Sequence, residues 1–146
     1  VLQLDICNFT KMSQEINPLE LAGLIHRLFS TFDEAVMQKR LFKVDTIGDA
    51  YVVAGWLPCD HDWFMQAKTR KTCGDMLNLA SLMIQSILSE RKRSKQNLTC
   101  RIGISVGIVA SGVIGRIQSR FHVMGQTMRD VELLEQTAVC NAVHIS

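Results

Sequence analysis

Two aspartates stand out for the setting they occupy. Asp5 closes the alternating run Leu2-Gln3-Leu4-Asp5-Ile6, and Asp49 sits where Phe42-Lys43-Val44 turns back into Ala50-Tyr51-Val52-Val53. Alternation of this kind marks short strands, and Gly48-Asp49 suits a hairpin turn between two of them. Two strand-end carboxylates on one sheet would make a site for a hard divalent cation such as Mg²⁺, which takes oxygen ligands. The plainer alternative for Asp49 is an acidic turn residue. Behind Asp5, the segment Phe9 to Glu15 reads as a loop or short helical turn whose N–H groups could receive phosphate oxygens. Arg101 shares a strand face with Gly103, Ser105 and Gly107. Such a face leaves room for a ligand close to the backbone, or the glycines relieve packing against a helix. Cys59, His61 and Asp62 lack a matching second half of a metal pattern and read as a surface loop.

The elements that must position these groups can be read from periodicity. Asn17-Pro18-Leu19-Glu20 is a helix start, with Asn17 as cap, Pro18 at the first helical position and Glu20 at a capping-box position. Leu21, Leu24, Ile25, Leu28, Phe29, Phe32 and Val36 then follow a 3.6-residue period toward Lys39-Arg40. A second helical pattern runs from about Gln66 to Arg91 on Cys73, Met76, Leu77, Ala80, Met83, Ile84, Ile87 and Leu88, and its Arg91-Lys92-Arg93 end is expected to be solvated. Leu98 to Ala110 alternates as a strand, with Cys100, Ile102, Ile104, Val106 and Ile108 on its apolar face. Gly112-x-x-Gly115 is expected to open a short helix or turn, Phe121 to Met124 to form a strand, and Thr127 to Thr137 a last helix, after which the fold should stop incomplete. The order β-α-β-β-α-β, with a further helix appended, predicts an α+β sandwich.

A chain of 146 residues, 47% hydrophobic and 21% charged, is the size of one domain with a real core. A formal net charge of +2 gives no case for nucleic acid as a partner. Five scattered cysteines without a C-x-x-C pair favour reduced thiols over a disulfide framework. The domain itself is expected to be soluble, and residues 1–146 to be one domain excised from a longer protein.

Three motifs in order, Asp5-Ile6-x-x-Phe9-Thr10, Lys43-Val44-x-Thr46-Ile47-Gly48-Asp49-Ala50-Tyr51, and Arg101-Ile102-Gly103-Ile104-x-x-Gly107 followed by Gly112-Val113-Ile114-Gly115, resemble the catalytic domain of class III nucleotidyl cyclases. Those are the adenylate and guanylate cyclases, and the resemblance runs from residue 1 to about residue 140. It implies a ferredoxin-like βαββαβ core. It also implies that Asp5, Asp49 and the Ile6 carbonyl hold Mg²⁺ (or Mn²⁺), two ions per site, that Phe9 and Thr10 cradle the triphosphate, and that Arg101 meets its terminal phosphates.

In that family the active site forms between two domains, in the same or another chain, one of which supplies an asparagine and an arginine from a helix. Here those two positions hold Arg129 and Leu133, within Gly125-Gln126-Thr127-Met128-Arg129-Asp130-Val131-Glu132-Leu133. Leucine cannot donate to a developing charge, so the chain resembles the metal-bearing half of a pair. Asp45, at a base-contact position, leans the substrate toward GTP, with ATP as the alternative; His122 fits neither usual second base contact. The resemblance further implies a cytoplasmic domain of a membrane protein. A cyclase-like dimerisation or regulatory module without turnover is the reading from another class.

Overall fold

The computed structural model describes residues 1–44 and 49–146; Asp45, Thr46, Ile47 and Gly48, and with them the base-contact and turn expectations they carry, lie outside the described residues. Strand β1 (Leu2–Ile6) buries Leu2, Leu4 and Ile6 on one face and turns Gln3 and Asp5 to the other. It leads into the short helix α1 (Phe9–Glu15) through Asn8, which sits in the left-handed region at φ 58°, a conformation asparagine tolerates better than most residues. Helix α2 (Pro18–Gln38) starts as its sequence predicts: the Asn17 side chain accepts from the Leu19 N–H at 2.9 Å, and Pro18 opens the helix. That cap is worth about 1 kcal/mol. Each of Leu24, Leu28 and Phe32, no more than 2% exposed, is worth about 1.5–3 kcal/mol on burial. The apolar face therefore fixes this helix more than its cap does.

Strands β2 (Phe42–Lys43) and β3 (Ala50–Ala54) pair antiparallel, and β3 pairs antiparallel with β1. After a 3₁₀ turn at Trp63–Met65, helix α3 (Ala67–Ser94) lies beside α2. Strand β4 (Cys100–Ile104) pairs with the other edge of β1. The ribbon β5 (Ala110–Ile114) and β6 (Arg120–Met124) stands apart from the main sheet, helix α4 (Gln126–Thr137) follows, and β7 (Val143–Ile145) runs parallel to β4. The five-stranded order β2-β3-β1-β4-β7 contains the expected βαββαβ core, with β7 added at the β4 edge. One face of the sheet packs on α2 and α3 around Leu4, Phe32, Tyr51, Met83 and Ile102. The opposite face carries α4 against β1 and β4 and a smaller cluster of Val44, Val52, Ala54 and Val123. No helix among the described residues is long and apolar enough to cross a membrane.

Several expectations are corrected. Strand β4 ends at Ile104, and Val106 and Ile108 are exposed, Ile108 at 93%. Beyond Ser105, whose N–H donates to the Val1 carbonyl, the alternation continues outside the strand, and among the described residues nothing buries Val106 or Ile108. Gly112 to Gly115 opens no helix: Gly112 lies within β5, and Gly115, at φ 105°, serves the turn between β5 and β6. In α3 the buried residues are Met76, Leu79, Ala80, Met83 and Ile87 flanked by Thr69 and Glu90, whereas Leu77 and Leu88 point outward. The chain also continues past α4 into a strand, β7.

Candidate active site

The strand register decides which polar groups meet. Asp5 lies directly across from Ala50 on β3 and from Arg101 on β4. Asp49 is thus one residue before Asp5's partner, and Arg101 stands beside Asp5 on the α4 side of the sheet. An Arg101 Nη2 donates to Asp5 Oδ2 at 3.1 Å and lies 2.9 Å from Glu135 Oε1, the latter an ion pair without hydrogen-bond alignment. The other terminal nitrogen, Nη1, reaches the Gln136 carbonyl at 3.5 Å.

Glu135 comes from α4 and is only 4% exposed. What delivers it is Gly103: a Cβ there would come within 2.4 Å of the Val131 carbonyl oxygen and 2.5 Å of the Glu135 nitrogen. Gly107 likewise faces Thr127 Oγ1, at 2.5 Å from such a Cβ. Of the two readings of these glycines, packing against a helix is therefore the right one, and the space beside Arg101 belongs to α4.

Burial pushes the Asp5 carboxyl above the ordinary carboxylate range, the negative charge of Asp49 adds to that push, and Arg101 opposes it. Burial also raises Glu135, with the Asp5 charge adding and Arg101 subtracting. Asp5 thus has two acidic neighbours and one cation between them, an excess of negative charge that costs folding energy until something positive relieves it.

Asp5 and Asp49 offer only hard oxygen donors. Ile6 is 1% exposed, its side chain packed in the core, so it can contribute only its carbonyl. This donor set fits Mg²⁺ or Mn²⁺ and suits softer metals poorly. Phe9 and Thr10 begin α1. Its first intrahelical bond runs from the Met12 N–H to the Asn8 carbonyl, which leaves the preceding N–H groups without helical acceptors, as at any helix start. An open groove of about 680 Å³ lies elsewhere, between α2 and α3, lined by residues such as Arg27, Ser86 and Glu90; none of its residues comes from the strand ends that carry the aspartates.

A model of the adenylate and guanylate cyclase catalytic domain matches residues 1–146. The chain belongs to that family. It is 30% identical over 144 residues to a receptor-type guanylate cyclase of Drosophila melanogaster, covering 97% of this chain and 9% of that one. It is also 30% identical over 146 residues to a receptor-type guanylate cyclase of Caenorhabditis elegans, covering 100% and 13% respectively. The chain therefore spans about a tenth of the length of these relatives. Among solved structures, the guanylate cyclase domain of RhGC from Catenaria anguillulae in complex with GTP superposes with a TM-score of 0.82 at 26% identity, over 99% of this chain and 75% of that one. The adenylyl cyclase CyaB from P. aeruginosa shares the fold, with a TM-score of 0.85 at 17% identity over 99% and 74%. Cyclase domains of this family generally depend on a divalent metal.

Within the cyclase fold, Arg129 and Leu133 sit one turn apart on the exposed side of α4, away from the Thr127, Val131 and Glu135 stripe that packs on the sheet. His122 is exposed on β6. Glu135 lies in none of the motifs that mark the other site residues. The signal was present: Thr127, Val131 and Glu135 recur every four residues, which puts a carboxylate on a buried helical stripe, and a buried carboxylate must find a cation.

Proposed function

We propose that this cyclase domain converts GTP to cyclic GMP and pyrophosphate by in-line attack of the ribose 3′-hydroxyl on the α-phosphate, and that it does so as the metal-bearing half of a pair. The observation that carries the reading is Asp5 and Asp49, two carboxylates close enough for one charge to raise the other, in a chain of the cyclase family. When bound, divalent ions supply phosphate charge neutralisation and a lowered pKa for the attacking hydroxyl. Asp5, Asp49 and the Ile6 carbonyl would hold them. The free N–H groups at Phe9 and Thr10 would receive phosphate oxygens. Arg101, engaged with Asp5 and Glu135, acts in this proposal by orienting the Asp5 carboxylate; it reaches terminal phosphates only after leaving Glu135.

The partner half of the proposal is supported by Arg129, which stands at the asparagine position, and Leu133, which stands at the arginine position and cannot donate to a transition state. Apolar side chains on and near the β5–β6 ribbon, Ile108, Val113, Ile114 and Ile117, are 48–99% exposed, the kind of surface that a second domain covers. The preference for GTP rests on the relatives, named as guanylate cyclases, and the receptor-type names support a cytoplasmic domain of a membrane protein. The test is cyclic GMP formation by the domain alone and mixed with a cyclase domain that carries the missing asparagine and arginine. Activity only in the mixture, abolished by Asp49→Ala, is expected; full activity from the isolated chain would overturn the half-site reading. Nucleotide binding without turnover in any mixture would favour the second reading, a regulatory module, for which the Leu133 substitution is the supporting observation.

A further inference from the structure

Cys7 follows directly on Ile6, and its Sγ lies 3.8 Å from Cys140 Sγ, a residue 133 positions away in the loop between α4 and β7. Both backbones are held in place. The Cys7 N–H donates to the Thr99 carbonyl at 2.9 Å. Beside Cys140, Asn141 adopts φ 59°, donates its N–H to the Cys100 carbonyl, and accepts the Cys100 N–H on its side chain at 3.2 Å. A third thiol, Cys100, is buried in the core with its pKa pushed up to about 12, chiefly by burial. With no access to solvent it is the inert member of the group; burial raises the Cys7 thiol as well, so the exposed Cys140 is the one that meets an oxidant first. Cys140 is exposed and Cys7 half-buried.

We propose that Cys7 and Cys140 are an oxidisable pair, whose disulfide ties the segment joining Asp5 and Ile6 to α1 onto the α4–β7 loop and weakens nucleotide binding. A hydroperoxide is the oxidant. The exposed Cys140 sulfur, as thiolate, attacks a peroxide oxygen; the O–O bond breaks, the S–O bond of a sulfenic acid forms, and an alcohol leaves, or water from hydrogen peroxide. The Cys7 sulfur then attacks the Cys140 sulfur, the S–S bond forms, the S–O bond breaks and water leaves. Two thiols lose two electrons and two protons in all, and the peroxide O–O bond is reduced. The bond requires the sulfurs to close from 3.8 Å to about 2.05 Å. That approach, of a little under 2 Å, falls on the residue next to the Ile6 carbonyl and one before Asn8, where α1 begins. Disulfides in a reducing compartment are most often of this transient, sensing kind. The effect on nucleotide rests on the functional reading above, while the bond itself does not.

The experiment treats the chain with hydrogen peroxide, maps its peptides by mass, and titrates Mg²⁺ with a non-hydrolysable GTP analogue before oxidation, after it, and after dithiothreitol. The expected result is a loss of two hydrogens in a linked peptide joining Cys7 and Cys140, affinity weakened about tenfold or more, and full recovery on reduction. Cys140→Ser should bind as the reduced chain does and ignore the peroxide. Linkage through Cys59 or Cys73, separate oxidised cysteines without a link, or a Cys7–Cys140 link that leaves affinity unchanged would each overturn the proposal. If the reduced chain binds no nucleotide either alone or mixed with the complementary cyclase domain, the functional reading fails, and the linked peptide alone decides whether the pair is oxidisable.

Discussion

Replacing Gly103 with alanine tests how α4 is brought onto the sheet. The new Cβ would stand 2.4 Å from the Val131 carbonyl oxygen and 2.5 Å from the Glu135 nitrogen, and both are backbone atoms that no rotamer change can move. Ordinary contact begins near 3.4 Å, so α4 must retreat by about 1 Å or β4 must bend. Overpacking of this kind costs about 1–3 kcal/mol, and a backbone clash belongs at the upper end. Alanine returns about 0.4–1 kcal/mol by restricting the unfolded chain, leaving a net loss of about 2–3 kcal/mol. For a domain of this size that is a fall in Tm of about 5–10 °C, with a matching drop in the urea midpoint at unchanged m-value. Gly112→Ala is the control, because nothing lies within 4 Å of its Cβ position; it should move stability by no more than about 0.5 kcal/mol. The same retreat of α4 would draw Glu135 away from Arg101 and perturb Asp5. If Gly103→Ala melts where Gly112→Ala does, the account of α4 packing is wrong.

Other outcomes follow from the same geometry. Asp5 and Glu135 have folded-state pKa values raised above the ordinary carboxylate value, so the stability they contribute is present below that value and lost as pH rises through the raised one. Denaturation midpoints measured from about pH 4 to pH 8 should therefore show Glu135→Gln gaining on the native chain as pH rises; a constant difference would contradict this. Adding Mg²⁺ at neutral pH should raise Tm by relieving the crowded carboxylates, with little effect in Asp49→Asn, as read by a thermal scan. Tyr51, fully buried against Phe29 and Phe32, donates its hydroxyl to Asp33, which also pairs with Lys43 at 2.7 Å. Tyr51→Phe should cost about 1–2 kcal/mol in urea denaturation, and the loss should shrink when Asp33→Asn is already present.

What could be read from the chain depended on whether the signals were local. Helix α2 was legible because its cap, its proline and its apolar stripe agree over one continuous segment. In α3 the choice of Leu77 and Leu88 over Leu79 failed because two neighbours, α2 and the sheet, select the buried face of a long helix. Strand β5 was hidden by Gly112 and Gly115, of which only Gly115 takes a positive φ. In the site, Asp5 and Asp49 showed as carboxylates at strand ends, and Arg101 as a cation among glycines. That Arg101 faces Asp5 is a matter of register between β1 and β4, 96 residues apart. That Glu135 joins them depends on the crossing of α4 over Gly103, which no motif announces.

In the proposed function Asp5 and Asp49 share a divalent cation. Mn²⁺ titration followed by electron paramagnetic resonance, with a non-hydrolysable GTP analogue present, measures this directly in the native chain and in Asp5→Asn and Asp49→Asn. The account predicts saturable Mn²⁺ binding, displaced by Mg²⁺ and weakened at least about tenfold (about 1.4 kcal/mol) by either substitution. Binding that survives both substitutions unchanged would contradict it.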